Sequence, residues 1–263
     1  MPTDKTVQLV QEQPDALLAC ILDMGEILLT SGAEILRVED TLSRLCTAYG
    51  FSRINVFCIT SSIILTVQCA DGRIATQTRR INTRDTNLQK IFLANSLSRQ
   101  LCKAPVPVED FLQRLEQIRQ AKSNSLPLLC VSYAVISAVF SVFFGGSFSD
   151  AIAAAISGVL VFFLQLLIGK LRMNDILESL LISAFTAFAV VFLVRIGIGQ
   201  TPEKITIGNI MLLIPGIAFT TSLRDMINGD TISGLIGISE SVIKAIAISI
   251  GFAMVLVQFG GAL

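Results

Sequence analysis

The chain has 263 residues, 52% hydrophobic and 15% charged, and its 20 basic and 20 acidic side chains balance to zero net charge. It contains no histidine, which excludes Ser-His-Asp and Cys-His catalysis and any His-ligated metal centre. The balanced charge gives no electrostatic footprint for nucleic acid.

Apolar residues are unevenly spread. Residues 1–125 are mixed and charge-rich, and residues 126–263 are mostly apolar. The expected organisation is a disordered N-terminus over 1–14, a cytoplasmic α+β domain over 15–125, and a transmembrane helical domain over 126–263. The opening MPTDKTVQLVQEQPD has neither a basic n-region nor an apolar h-region, so no signal peptide is read there. Cys20, Cys46, Cys58, Cys69, Cys102 and Cys130 show no CxxC spacing. They read as reduced apolar fillers, without a metal or redox cofactor.

In the first half, Leu17, Leu18, Ile21, Leu22, Leu28 and Leu29 recur at helical spacing and predict a helix over Asp15 to Thr30, stopped at Gly32. A second helix is predicted over Glu34 to Tyr49, ended by Gly50. The period then changes to that of strands, over Ile54 to Ile59 and Ile63 to Cys69. Asp71-Gly72 signals a hairpin, with Arg73 to Arg80 returning. Thr83 is placed to cap a helix over Arg84 to Leu101, and a further amphipathic helix over Val108 to Ala121 follows the breakers Pro105 and Pro107. The run Arg73, Arg79, Arg80, Arg84 reads as a solvated basic face.

Five spans are predicted in the second half. They are Leu126 to Phe144, Ile152 to Ile168 with extensions at both ends, Ile176 to Leu193, a segment from Ile207, and a long one from Ile232 to Phe259 that must tilt or project. The fourth span is broken at Pro215-Gly216. Proline removes a backbone donor and frees a carbonyl, which hydrocarbon tolerates where the freed groups are buried or line a cavity. Broken helices are where transporters bind solute, although a plain proline kink explains the dipeptide equally well. A polar run follows the break, through Thr220, Thr221 and Ser222 to Arg224-Asp225 and Gly229-Asp230.

Arg119 and Lys122 precede the first span, the Gly145 to Asp150 loop has no Lys or Arg, and Lys170 and Arg172 follow the second span. Loop charge therefore predicts a cytoplasmic N-terminal domain and an external C-terminus, in a bacterial inner membrane. Arg195 and Lys204 run against this pattern, and Arg195 can snorkel. Gln165 and Glu178 read as interfacial. Glu240 and Lys244 share a helix face and read either as an ion pair or as functional charges. Gly234, Gly237, Ser239 and Ser241 predict close packing of the last span on a neighbour.

Two stretches together resemble the threonine/serine exporter family. One is GEILLTSGAE at 25–34, followed by Arg37-Val38-Glu39. The other is Pro215-Gly216 with Arg224-Asp225, Gly229-Asp230 and Ser233-Gly234. The resemblance runs from about residue 15 to the end. It implies a cytoplasmic domain, membrane spans and export of small polar metabolites. Because fused members carry a second membrane portion, it also implies a split system in which this chain is the larger subunit and a smaller membrane subunit is its partner. The resemblance implies threonine or serine as the solute; because a branch of split systems is linked to dicarboxylates such as succinate, a dicarboxylate is the alternative. A second copy of the chain, in a homo-oligomer, is a further expected partner.

The residues expected to meet the solute are Pro215, Gly216, Thr220, Arg224, Asp225, Asp230 and Glu240. Arg224 offers a planar fork for a carboxylate. Asp225, Asp230 or Glu240 can meet an ammonium or carry a proton, and Lys244 is the second cation that a dicarboxylate would require. Glu26, Glu34, Arg37 and Glu39 form the motif of the cytoplasmic domain and read first as one salt-bridge network holding a helical hairpin. A membrane-anchored hydrolase using Glu26, Glu34 and Glu39, and a ligand sensor with a passive membrane anchor, are the competing readings.

Overall fold

The computed structural model describes residues 14–83, 85–121, 125–171 and 173–259. The expectations for the N-terminal tail, Arg84, Lys122 and Arg172 lie outside those residues. The described residues form two compact units. One comprises 14–121 with 217–238, and the other comprises 125–216 with 239–259.

The first unit begins with α1 (Pro14–Thr30) and α2 (Ile35–Ala48). Pro14 suits a first helical turn, where its missing N–H is not needed. The predicted apolar stripe of α1 is buried, as are Ile35, Val38, Leu42 and Leu45 of α2. Each such Leu or Ile contributes about 1.5–3 kcal/mol of burial. Between the two helices Gly32 sits at φ +86°, a left-handed conformation that a side chain would strain.

The strands are β1 (Ser52–Ile59), β2 (Ser62–Gln68) and β3 (Ile74–Arg80), antiparallel in the order β1-β2-β3. Cys58 pairs with Ile63, and Phe57 with Ile64. The period of two sends Cys58, Ile63, Leu65 and Val67 into the core and leaves Phe57 and Ile64 exposed.

Two more helices, α3 (Leu88–Lys103) and α4 (Val108–Arg119), complete the α+β part. The start of α3 corrects the sequence reading. Asp85 and Asn87 donate their backbone N–H groups to Thr30 and Ser31 carbonyls at 2.8 and 3.0 Å, which holds this stretch out of helix. Asn87, not Thr83, then caps α3 by accepting from the Lys90 N–H at 3.0 Å.

The basic run is also corrected, because Arg79 does not belong to a solvated face. It pairs with Asp23 and lies 3.5 Å from Glu26, and Arg119 reaches both carboxylates at 3.6 Å. Arg73 is exposed and pairs with Asp71.

The second unit contains α5 (Leu126–Phe143), α6 (Phe148–Ile168), α7 (Asp175–Arg195) and α8 (Pro202–Leu213). Ile214 is extended, as the residue before a proline prefers, and α9 (Gly216–Ile227) starts after Pro215. The last helix is α10 (Thr231–Phe259), whose first two turns belong to the first unit. Among the described residues four helices are long and apolar enough to cross a membrane, or five if the broken pair α8 and α9 counts as one span. The protein is therefore mostly helical with a small three-stranded sheet.

A polar seam crosses the second unit. Ser137 on α5 donates to Asn209 on α8 at 2.9 Å, and Asn209 donates to Ser157 on α6 at 2.7 Å. All three are buried. Such bonds between apolar helices contribute modestly and fix which faces meet. Tyr133 donates to Gln165 at 2.5 Å, so Gln165 is a helix–helix contact. At one end Asp150 is fully buried. It accepts the backbone N–H groups of Gln200 and Thr201 at 2.7 and 2.9 Å and of Ser147 at 2.9 Å, besides the Ser147 hydroxyl at 2.8 Å.

Candidate functional site

The stretch after the helix break belongs to the same unit as the N-terminal carboxylate motif. Helix α9 ends in a Schellman-type turn. The Asp230 N–H returns to the Asp225 carbonyl at 3.0 Å, and Gly229 takes φ +102°. Helix α10 then packs back on α9. A Cβ on Gly234 would lie 2.7 Å from the Met226 N and the Ser222 carbonyl oxygen, and one on Gly237 would collide with the Ser222 side chain. These two glycines thus serve a neighbour within the chain itself.

The hairpin places Arg224 and Asp225 against the start of α2. Glu34 occupies the N-cap position of α2 with extended backbone, yet its side chain makes no capping bond. Instead Asp225, buried at 2% exposure, accepts the Ile35 N–H at 3.1 Å across 190 residues of sequence. The negative charge and the open N–H of a helix N-terminus satisfy one another. Glu34 is thereby left to pair with Arg224 through one carboxylate oxygen, and Arg37 Nε faces the other at 3.6 Å. Both guanidinium side chains are exposed, at 61% and 67%, while Glu34 retains 16%.

Glu39, one turn along α2, accepts the Cys58 N–H at 2.8 Å on the open edge of the sheet. Burial pushes its carboxyl above the ordinary value; the Cys58 bond opposes this and nearby Asp230 adds to it. A carboxyl with a raised folded pKa binds more protons folded than unfolded, so its charge costs stability once pH exceeds that pKa. Gln keeps the acceptor and drops the charge. Glu39→Gln is therefore expected to match the wild type in acid, below the ordinary carboxylate range, and to be the more stable of the two at neutral pH. Thermal unfolding at a series of pH values checks this, and a Gln variant less stable at neutral pH would refute it.

The expected single salt-bridge network is thus replaced by separate groupings. Glu34 and Arg37 join Arg224, Glu39 joins Cys58, and Glu26 goes to Arg79 and Arg119. Glu26, Glu34 and Glu39 do not share partners, as a carboxylate-based hydrolase would need. Thr220 is exposed, and its hydroxyl donates to the Ile217 carbonyl at 3.0 Å. Pro215, Gly216 and Glu240 fall in the other unit. Among the described residues no ion pair joins Glu240 to Lys244, and Arg224 pairs with Glu34.

Sequence reasoning missed Asp150 and the Ser137–Asn209–Ser157 seam. The signal for the seam was present, since a polar group inside an apolar helix needs a partner.

Comparison with known proteins matches the threonine/serine exporter (ThrE) family over residues 19–258. The chain is 22% identical to "Probable succinate transporter subunit YjjP" of Escherichia coli K12, over 95% of this chain and 97% of that one. It is 23% identical to the protein of the same name in Klebsiella aerogenes, over 89% and 90% of the two chains. It is 21% identical to "Threonine/serine exporter" of Corynebacterium glutamicum, over 78% of this chain and 44% of that protein. No solved structure matches. The chain belongs to the threonine/serine exporter family, a family of transporters, and is a multi-pass membrane protein.

Proposed function

We propose that this chain is one subunit of a secondary exporter of small carboxylate-bearing metabolites. One observation carries the reading: the polar stretch after the helix break is held by the first turn of α2 through Glu34–Arg224 and Ile35–Asp225. This gives the N-terminal unit a direct hold on the helix expected to meet the solute. Arg224 is the carboxylate-binding group, and Asp225 positions it by fixing α9 on α2. Thr220, Asp230 and Glu240, with the Pro215-Gly216 break, remain candidates for the rest of the path.

A dicarboxylate solute is favoured by two cations facing one carboxylate, and by the names of the two relatives matched along nearly their whole length. Threonine or serine is the second reading. It is favoured by Glu34 itself, which can take an ammonium beside Arg224. A separate membrane subunit completes the transporter. Solute uptake into everted vesicles tests this: accumulation of succinate or threonine is expected with the second subunit present and absent without it. Full activity of this chain alone would refute the two-subunit reading.

The N-terminal unit is cytoplasmic in this reading, because Arg119 precedes α5, Lys170 follows α6, and the loop between these helices lacks Lys and Arg. On a background without native cysteines, Phe148→Cys is expected to react with an impermeant thiol reagent outside intact cells, and Thr76→Cys is not. Both side chains are exposed, Phe148 at 82%. The reverse labelling pattern would invert the topology.

A further inference from the structure

We propose that the Glu34 carboxylate is a tethered stand-in for a carboxylate of the solute, and that Arg37 and Arg224 are the two cations that exchange it for a dicarboxylate. The inference rests on the reading of this chain as a carboxylate exporter and assigns Arg37 as a specificity-determining residue.

Glu34 stands where a helix N-cap stands but does no capping, because Asp225 holds the Ile35 N–H. Its carboxylate is therefore not required by the local backbone. Each of its oxygens is faced by a different guanidinium, Arg224 on Oε1 and Arg37 Nε at 3.6 Å on Oε2. Asp225 is buried and engaged with the helix N-terminus, so it is not the group to be exchanged. Both guanidiniums open to solvent over more than half of their side-chain surface. An incoming carboxylate can reach them without the core moving. A planar guanidinium matches a carboxylate through two donors, so the exchange is like for like.

A solute with one carboxylate replaces Glu34 on one cation. A solute with two can engage both, releasing Glu34 to water. Lys244 is then not needed as the second cation. An internal competitor lowers apparent affinity by the fraction of time it occupies the site.

An amino acid makes the opposite prediction, because its ammonium would use Glu34 as a partner. Glu34→Gln separates the two. The full chain is purified in detergent, and ligand-induced thermal shifts are read with succinate, acetate and L-threonine as probes. Glu34→Gln is expected to lower the succinate concentration for half-maximal shift about tenfold, the lower end for losing one charge-assisted hydrogen bond from the competitor. Arg37→Gln, a change at an exposed position, is expected to weaken succinate by about tenfold or more and to leave acetate unchanged.

Unchanged or weaker succinate binding by Glu34→Gln overturns the proposal. So does equal loss of acetate and succinate in Arg37→Gln. If Glu34→Gln does not fold, the Arg37→Gln comparison still decides. Succinate export by the wild type together with unchanged affinity in Glu34→Gln overturns this inference and leaves the exporter reading standing. No shift with any probe in any variant, and no export by the complete system, overturns both.

Discussion

Replacing Asp150 by Ala is expected to cost the folded protein on the order of 3 kcal/mol or more, the largest loss for a single change outside the candidate site. Four hydrogen bonds converge on this carboxylate, three from backbone N–H groups, and it is completely buried. Alanine leaves the Gln200 and Thr201 donors without an acceptor, at about 1.5–3 kcal/mol for each bond to a charged group. Asn keeps one acceptor and turns an amide donor toward groups that are already donors, so Asp150→Asn is expected to lose roughly half as much. The check is thermal unfolding in detergent together with the yield of monodisperse protein. An Ala variant that unfolds at the wild-type temperature would show that the loop finds other partners.

The second large effect is on transport. Arg224→Lys is expected to leave folding intact, because an exposed ion pair contributes only about 0–1 kcal/mol and lysine keeps the charge. It is expected to cut export at low solute by a factor of about ten to a hundred, since a point charge cannot reproduce two parallel bonds to a carboxylate. Raising the solute concentration is expected to restore part of the rate. If Arg224 instead only clamps α9 to α2, lysine will export like the wild type at every concentration, and Arg224→Ala will lower the yield of folded protein. Wild-type transport by the lysine variant would remove Arg224 from the solute path.

These two residues differ in how far the sequence could point to them. Arg224 stands out because a charge about two turns after a Pro-Gly break inside an apolar region is costly and calls for a use. Asp150 looks like an ordinary loop residue, since its partners are backbone groups, which leave no mark on composition. Periodicity located the first two helices and the first two strands because burial of one face was the dominant cause, and apolar length located the spans. It failed at the start of α3, where the Thr30 and Ser31 carbonyls hold residues 85–87 extended. It also failed at the start of α8. Pro202 at the first turn marks the helix, but Lys204 reads as a loop charge. The pairing of Glu34 with Arg224 was beyond reach for a simpler reason. No local pattern encodes a contact between residues 190 positions apart.

That separation has a consequence for how the molecule is made. Residues 217–238 are part of the same compact unit as residues 14–121, yet they are synthesised only after α5 to α8. The N-terminal unit therefore cannot be completed as its own stretch leaves the ribosome. Until α9 arrives, the Ile35 N–H lacks its acceptor and Glu34 lacks one of its two cations. Closing so long a loop is entropically costly and slow. Maturation of the N-terminal unit thus waits on membrane insertion of the segments between, and a chain stalled before Gly216 presents an unfinished surface that quality-control proteases can distinguish from the finished one.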